Sequence, residues 1–445
     1  MSRRTTRALA AIAFAALLVI LWNRRKALRH AKPLTPVAAA SSSARALRGK
    51  PRSAKELATT DANIYLGNLD GQIEELTRLT RQQPDSVSNV LFLSAVHHTR
   101  GRFRGDLDEI QAGIDLTGTC AKLTPENANC PLVRAEQEQS LHRFKEARID
   151  LARAKDLGGD PARIAGLEVE LDWNDGLYDA AIPAIRKARL MKPTTSSWIR
   201  EGQLDHDLGL EAVADAAFET AEDLIVDTGP LVLAHLDVQR GIQKTQTGRL
   251  EEAVAFFREA AARIPTYVAA NEHLAEALHA LGKDEEATKL YEEVVKISDD
   301  PEFKHALAEL YALSGKTEEA KALEAKARAG YDVLLRKYPE AMYWHASEFY
   351  MAIGDKKRAL DLLQKNLVLR PNSTSLVALA RAELANGQND EARRSIDKAL
   401  AMPLVSASLF WTASRIYENA GDTSSAARFR ERAEKLNPRI VTDER

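Results

Sequence analysis

The chain of 445 residues is 45% apolar and 28% charged, with a net charge of −2, two cysteines and 6% aromatic residues. That composition excludes collagen-like, disulfide-scaffold and mostly disordered classes, and the length allows two to four ordinary domains. The near-neutral balance averages two unlike parts: residues 1–52 hold twelve Lys and Arg and no acid, which leaves −14 for residues 53–445.

Residues 1–30 are organised around the apolar run Ala8 to Trp22, with Arg3, Arg4 and Arg7 before it and Arg24, Arg25, Lys26 and Arg29 after it. Fifteen helical residues reach ~22 Å, against a hydrocarbon core of ~30 Å, and arginine stems at both ends cover part of the difference by snorkelling. A cleavable signal needs small residues just after the apolar run; Asn23-Arg24-Arg25-Lys26 stands there instead. The expectation is therefore an uncleaved anchor in the inner membrane of a bacterial envelope, with cleavage of a signal as the alternative. Residues 31–52, rich in Ala, Ser, Pro and basic side chains, read as a flexible basic linker. More positive side chains follow the run than precede it, which favours a cytoplasmic body. Cys120 and Cys130, ten residues apart, suit a disulfide in an exported protein and favour a periplasmic one. The periplasmic side is taken; two unpaired buried cysteines remain the other reading.

From residue 53 to 440 one pattern repeats, followed by a short tail, 441–445. A turn residue recurs at Gly67, Gly101, His142, Gly176, Gly209, Gly248, Gly282, Gly315, Gly354, Gly387 and Gly421, mostly 33 or 34 residues apart. A small residue stands seven before most of these, as at Ser94, Gly202, Gly241 and Ala275, and an Ala five after most, from Ala147 to Ala426. Small residues on both sides of a tight reversal let two antiparallel helices approach closely. Pro84, Pro193, Pro265, Pro371 and Pro438 then end the second helix. No helix pair buries its apolar face alone, so the pairs must stack. The expected fold class is all-α, an α-solenoid of about eleven units.

The pattern resembles the tetratricopeptide repeat, most closely over 234–440, and Trp198, Leu379 and Tyr417 fall where that family places large packing residues. His142 departs from the turn glycine, and the first two units lack the Ala after the turn. Extra residues enter near 114–127, 223–233 and 325–338; the last stretch, almost free of breakers, predicts a helix lengthened by two turns.

Catalytic patterns are missing. Gly315-Lys316-Thr317 ends like a phosphate-binding loop, but Leu310 stands where the earlier glycine belongs. His305 and Glu309 lack the second His of a zinc-protease pentad, and neither CxxC nor a Gly-x-Ser-x-Gly elbow occurs. The repeats occupy nearly everything after residue 52, so no enzyme, no cofactor and no metal centre is expected.

The resemblance implies a concave groove lined by the first helix of each pair. Six residues before the turns stand Glu136, Glu170, Glu276, Glu309 and Glu348, then Arg381 and Arg415. In register these form an acidic stripe that turns basic near the C-terminus. Trp344 and Trp411, one residue beyond core aromatics, are expected to face the groove, with Trp173 and Met351 beside them. Such a surface suits a basic or amphipathic protein segment. The functional expectation is a membrane-anchored scaffold or adaptor for protein–protein interaction, with self-association open and nucleic acid repelled by the body's charge. The alternative is an envelope polysaccharide on the same tryptophans.

Overall fold

The computed structural model describes residues 51–52, 56–226 and 228–443. The expected anchor and nearly all of the linker lie outside the described residues, within which no helix is long and apolar enough to cross a membrane.

Among the described residues there are twenty-two helices and no strand. A single helix, α1 (Ala62–Gln82), comes first. Ten antiparallel pairs follow: α2 (Val87–Arg104) and α3 (Leu107–Leu123); α4 (Asn129–Ser140) and α5 (Phe144–Asp156); α6 (Pro161–Asn174) and α7 (Tyr178–Met191); α8 (Thr195–Asp207) and α9 (Glu211–Asp223); α10 (Pro230–Gln246) and α11 (Leu250–Arg263). The series continues with α12 (Val268–Ala280) and α13 (Asp284–Ile297); α14 (Pro301–Leu313) and α15 (Thr317–Lys337); α16 (Pro339–Ala352) and α17 (Lys356–Leu369); α18 (Ser373–Ala385) and α19 (Asn389–Leu400); α20 (Ala407–Asn419) and α21 (Thr423–Leu436). A last turn, α22 (Ile440–Asp443), packs on α20 and α21. Each pair packs on the next, as a solenoid requires.

Local chemistry sets the helix starts. Asp61, Asp106, Asp160 and Asp300 accept hydrogen bonds from the first backbone N–H groups of α1, α3, α6 and α14. Pro161 and Pro301 occupy the first helical position, where their missing N–H costs nothing. Between paired helices the turn glycines from Gly176 to Gly421 hold φ from 70° to 83°. The next residue's N–H then reaches the carbonyl five positions back, as Lys283 does to Leu278 at 2.9 Å, ending the first helix. His142 takes the same left-handed conformation at φ 55° and keeps the turn.

Two of the expected turns are not turns. Gly67 lies inside α1, where nothing breaks the helix before Pro84, so the first unit is one helix. Gly101 lies inside α2; a Cβ there would sit 2.8 Å from the Asp106 carbonyl, and Gly105 at φ 67° makes the reversal. Gly101 is small because two backbones touch, which spacing alone does not distinguish from a turn. The 325–338 insertion extends α15 to 21 residues, as its lack of breakers predicted.

Packing follows the small-residue rule. Phe257 and Phe218 are buried against Gly241 and Gly202, where any Cβ would press on the ring. Burying one such phenylalanine contributes roughly 1.5–3 kcal/mol. Cys120 and Cys130 are buried and form a disulfide, with Cα atoms 5.6 Å apart, joining the last turn of α3 to the start of α4.

Distant units also touch. The Ser373 N–H donates to the Tyr178 hydroxyl at 3.1 Å, 195 residues away, and the Val405 N–H donates to the Asp207 carbonyl at 2.8 Å. Asp108 accepts from Lys337 at 2.6 Å and from the Tyr338 hydroxyl at 2.5 Å. Phe103 lies 5.8 Å from Tyr267, centroid to centroid. The solenoid from residue 51 onward therefore coils until successive coils meet.

Candidate functional site

All eleven candidate groove residues lie on first helices of pairs: Glu136 on α4, Glu170 and Trp173 on α6, Glu276 on α12, Glu309 on α14, Trp344, Glu348 and Met351 on α16, Arg381 on α18, Trp411 and Arg415 on α20. Their surroundings divide them.

Three acids of the stripe are neutralised by the next unit. Arg163 of α6 grips Glu136 with both oxygens 2.7 Å away, Arg200 of α8 holds Glu170 at 2.6 Å, and Arg381 holds Glu348 at 2.9 Å. Such pairs satisfy the carboxylates within the solenoid and tie neighbouring units together. Each is partly exposed, so each adds only ~0–1 kcal/mol.

The aromatic wall is mostly covered. Trp173 is sandwiched by Arg200 at 4.7 Å and the edge of Tyr178 at 4.9 Å. Trp344 packs partly buried against Leu360, Leu363 and Leu379, with Arg370 5.9 Å from its ring, and Met351 fills the gap between two core clusters. Trp411, expected in the groove, is only 7% exposed; it belongs to the core with Leu376, Val377 and Phe410. Apolar side chains of the adjoining helices claim these rings. No tryptophan among the described residues is classed as exposed. Arg415 is exposed beside Trp411.

Glu276 and Glu309 differ from the rest of the stripe. Their side chains are 52% and 58% exposed, and the partner of each is a histidine of its own helix, His273 at 3.0 Å and His305 at 3.5 Å. Among the described residues, neither carries an arginine or lysine bridge of the kind that closes Glu136, Glu170 and Glu348.

More acids gather on the same two helices. Glu272 lies one turn before Glu276 and is only 8% exposed; burial first, then the Glu276 charge, raises its carboxyl well above the usual range. Asp300 caps α14 through the Glu302 N–H at 2.9 Å, and burial followed by the Glu302 charge pushes it to about 6. Glu302 meets His345 of α16 at 2.9 Å. Burial opposes the charge on His345, but Glu302 and Asp300 outweigh it and raise the imidazole to about 9. That same imidazole overcomes burial at Glu302 and holds its carboxyl below its ordinary range. The patch across α12 and α14 therefore concentrates carboxylates whose nearest cations are histidines. His273, Glu272 and Glu302 were not singled out by sequence reasoning. A sign was available in the histidine on each of three successive first helices, at 273, 305 and 345.

Residues 245–310, which contain α11 through most of α14, match the family model described as tetratricopeptide repeat. No curated protein matches the chain. Among solved structures, a tetratricopeptide repeat protein from Parabacteroides merdae is 16% identical with a TM-score of 0.35, covering 56% of this chain and 96% of its own. The human IFIT1 dimer with PPP-AAAA is 14% identical with a TM-score of 0.41, covering 81% and 94%. Yeast Tom70 is 15% identical with a TM-score of 0.34, covering 84% and 90%.

Proposed function

We propose that this chain, which carries tetratricopeptide repeats over 245–310, is a non-enzymatic protein-interaction scaffold whose recognition surface is the acidic face of α12 and α14. The observation that supports this reading is the contrast within one stripe. Glu136, Glu170 and Glu348 are spent on arginines of the next unit, whereas Glu276 and Glu309 are half exposed and meet a histidine of their own helix. A cationic side chain from a partner meets there what an arginine of the solenoid supplies elsewhere. The partner is a basic or amphipathic protein segment, long enough to cross two units. Polysaccharide binding has less support, because a sugar needs an open aromatic face, Trp411 is buried and the other described tryptophans are only partly exposed.

The proposal includes the N-terminal address: an anchor around the apolar run 8–22, supported by its basic flanks, and a body on the periplasmic side in an envelope complex, supported by the cysteine pair. A C-terminal reporter active only outside the cytoplasm tests this part; signal confined to the cytoplasm contradicts it.

The recognition part is tested by fluorescence anisotropy, with a basic amphipathic peptide of ~20 residues, its charge-reversed counterpart and a short RNA. The basic peptide alone is expected to bind, weakening as salt rises from about 50 to 300 mM. Equal binding of the two peptides, preference for the RNA, or indifference to salt contradicts the reading.

A further inference from the structure

The face formed by α12 holds a second, smaller arrangement that shares Glu276 with the recognition surface. Glu272, His273 and Glu276 occupy one helical turn. The Oε2 atoms of Glu272 and Glu276 both lie 3.0 Å from the same nitrogen, His273 Nδ1. One imidazole nitrogen carries at most one proton. It therefore satisfies one of the two carboxylates with a hydrogen bond and leaves the other facing a donor already in use. Glu272 is 8% exposed, so water compensates it poorly. The structure draws three potential ligand atoms to one point.

We propose that Glu272, His273 and Glu276 form a binding site for a divalent transition-metal cation of the zinc class. Three ligand atoms, one from each residue, already lie within 4.8 Å of one another. Tetrahedral zinc with bonds of ~2.0–2.1 Å places neighbouring ligand atoms about 3.3 Å apart. The present 3.0 Å separations need to open by only a few tenths of an ångström, within reach of long, flexible glutamate side chains. A cation at this point contacts both carboxylates and the imidazole at once. One imidazole with two carboxylates leaves a fourth position for water or a ligand atom from a partner. The imidazole favours zinc, nickel or copper over magnesium and calcium, which prefer all-oxygen shells.

The surroundings suit a cation. Asp300 and Glu302 lie on α14 beside Glu272 and raise its negative potential. Glu302 is itself engaged by His345 at 2.9 Å, so it stands as a neighbouring charge rather than a free ligand. On α14, His305 has a buried Nδ1 with no hydrogen-bond partner among the described residues. The packing of His273 on Phe257, ring centroids 5.5 Å apart, limits the freedom of its ring. Preorganisation of this kind reduces the ordering cost of binding.

This inference does not rest on the scaffold reading, and its test is separate. The full chain, stripped with a chelator, is titrated with zinc chloride by calorimetry and then melted with and without the metal. One equivalent of zinc bound with a Kd in the micromolar range or tighter, together with a higher Tm, is expected. His273→Ala and Glu276→Gln, each first checked for native helicity, should weaken binding at least tenfold. His279→Ala, on the same helix but paired with Asp284 at 2.7 Å, should leave it unchanged. Absence of zinc binding, unaltered affinity in both His273→Ala and Glu276→Gln, or magnesium binding as tightly as zinc overturns the assignment.

Discussion

Individual residues show where burial and charge conflict. Asp237 is buried on α10 with Arg263 3.6 Å away, near Glu222, Arg240 and Glu259. Burial is the largest influence and pushes its carboxyl to about 8, against the pull of Arg263. The folded-state value is raised, so the folded chain keeps this proton while the unfolded chain loses it near the ordinary carboxylate range of ~4. Its stabilising effect is present below about pH 4 and is lost as pH rises toward 8, opposite to an ordinary salt-bridged acid. Asp237→Asn should therefore gain on the wild type as pH rises from about 5 to 7, by up to ~1.4 kcal/mol per unit, in thermal melts at matched ionic strength. Parallel pH profiles for the two proteins would show that Asp237 is ionised in the fold. The acids expected on the groove lie on first helices, and the arginines that pair with them lie on the next unit. Arg163, Arg200 and Arg381 stand thirteen, nine and six residues before their turns, so no fixed spacing reveals them. An arginine's long stem lets it reach a neighbouring unit from several helical positions.

At the scale of the element, the repeat is a rule about small residues. Turn glycines, preceding small residues and following alanines gave the helix pairs legibly from His142 onward, because these positions answer to backbone reversal and helix contact. Gly67 and Gly101 were misread because glycine serves a turn, a close approach or a tolerated helix interior with the same letter. Trp411 was misread for a related reason: helical geometry fixes the direction of a side chain but not what the next helix places over it. Gly241 makes the packing rule testable. A Cβ there meets the Phe257 ring, so Gly241→Ala should cost about 1–3 kcal/mol through overpacking. Adding Phe257→Leu should recover part of that loss, and the non-additivity is read in a double-mutant cycle by thermal melting. Additive costs would place the strain elsewhere.

The whole molecule is more than a chain of nearest neighbours, since coils far apart in sequence meet at Tyr178–Ser373, Asp207–Val405 and Asp108–Tyr338. These bonds fix how tightly the solenoid winds, and therefore how the first helices face one another. Tyr178→Phe combined with Asp108→Ala removes links between coils while leaving each pair intact. It should cost about 1–3 kcal/mol and lengthen the particle in small-angle scattering. An unchanged scattering profile would mean that nearest-neighbour packing alone sets the winding. Nothing in the repeat pattern announced these contacts, because they join positions of no common register.

Among the described residues, the same coil leaves one acidic face without arginine partners. The decisive measurement compares two charge-reversed proteins for binding of the basic peptide by fluorescence anisotropy. Glu276→Lys with Glu309→Lys should weaken binding at least tenfold, whereas Glu136→Lys with Glu170→Lys, at acids already held by Arg163 and Arg200, should change it less than about threefold. Equal losses in both proteins, or a larger loss in the second, would contradict the assignment of recognition to α12 and α14.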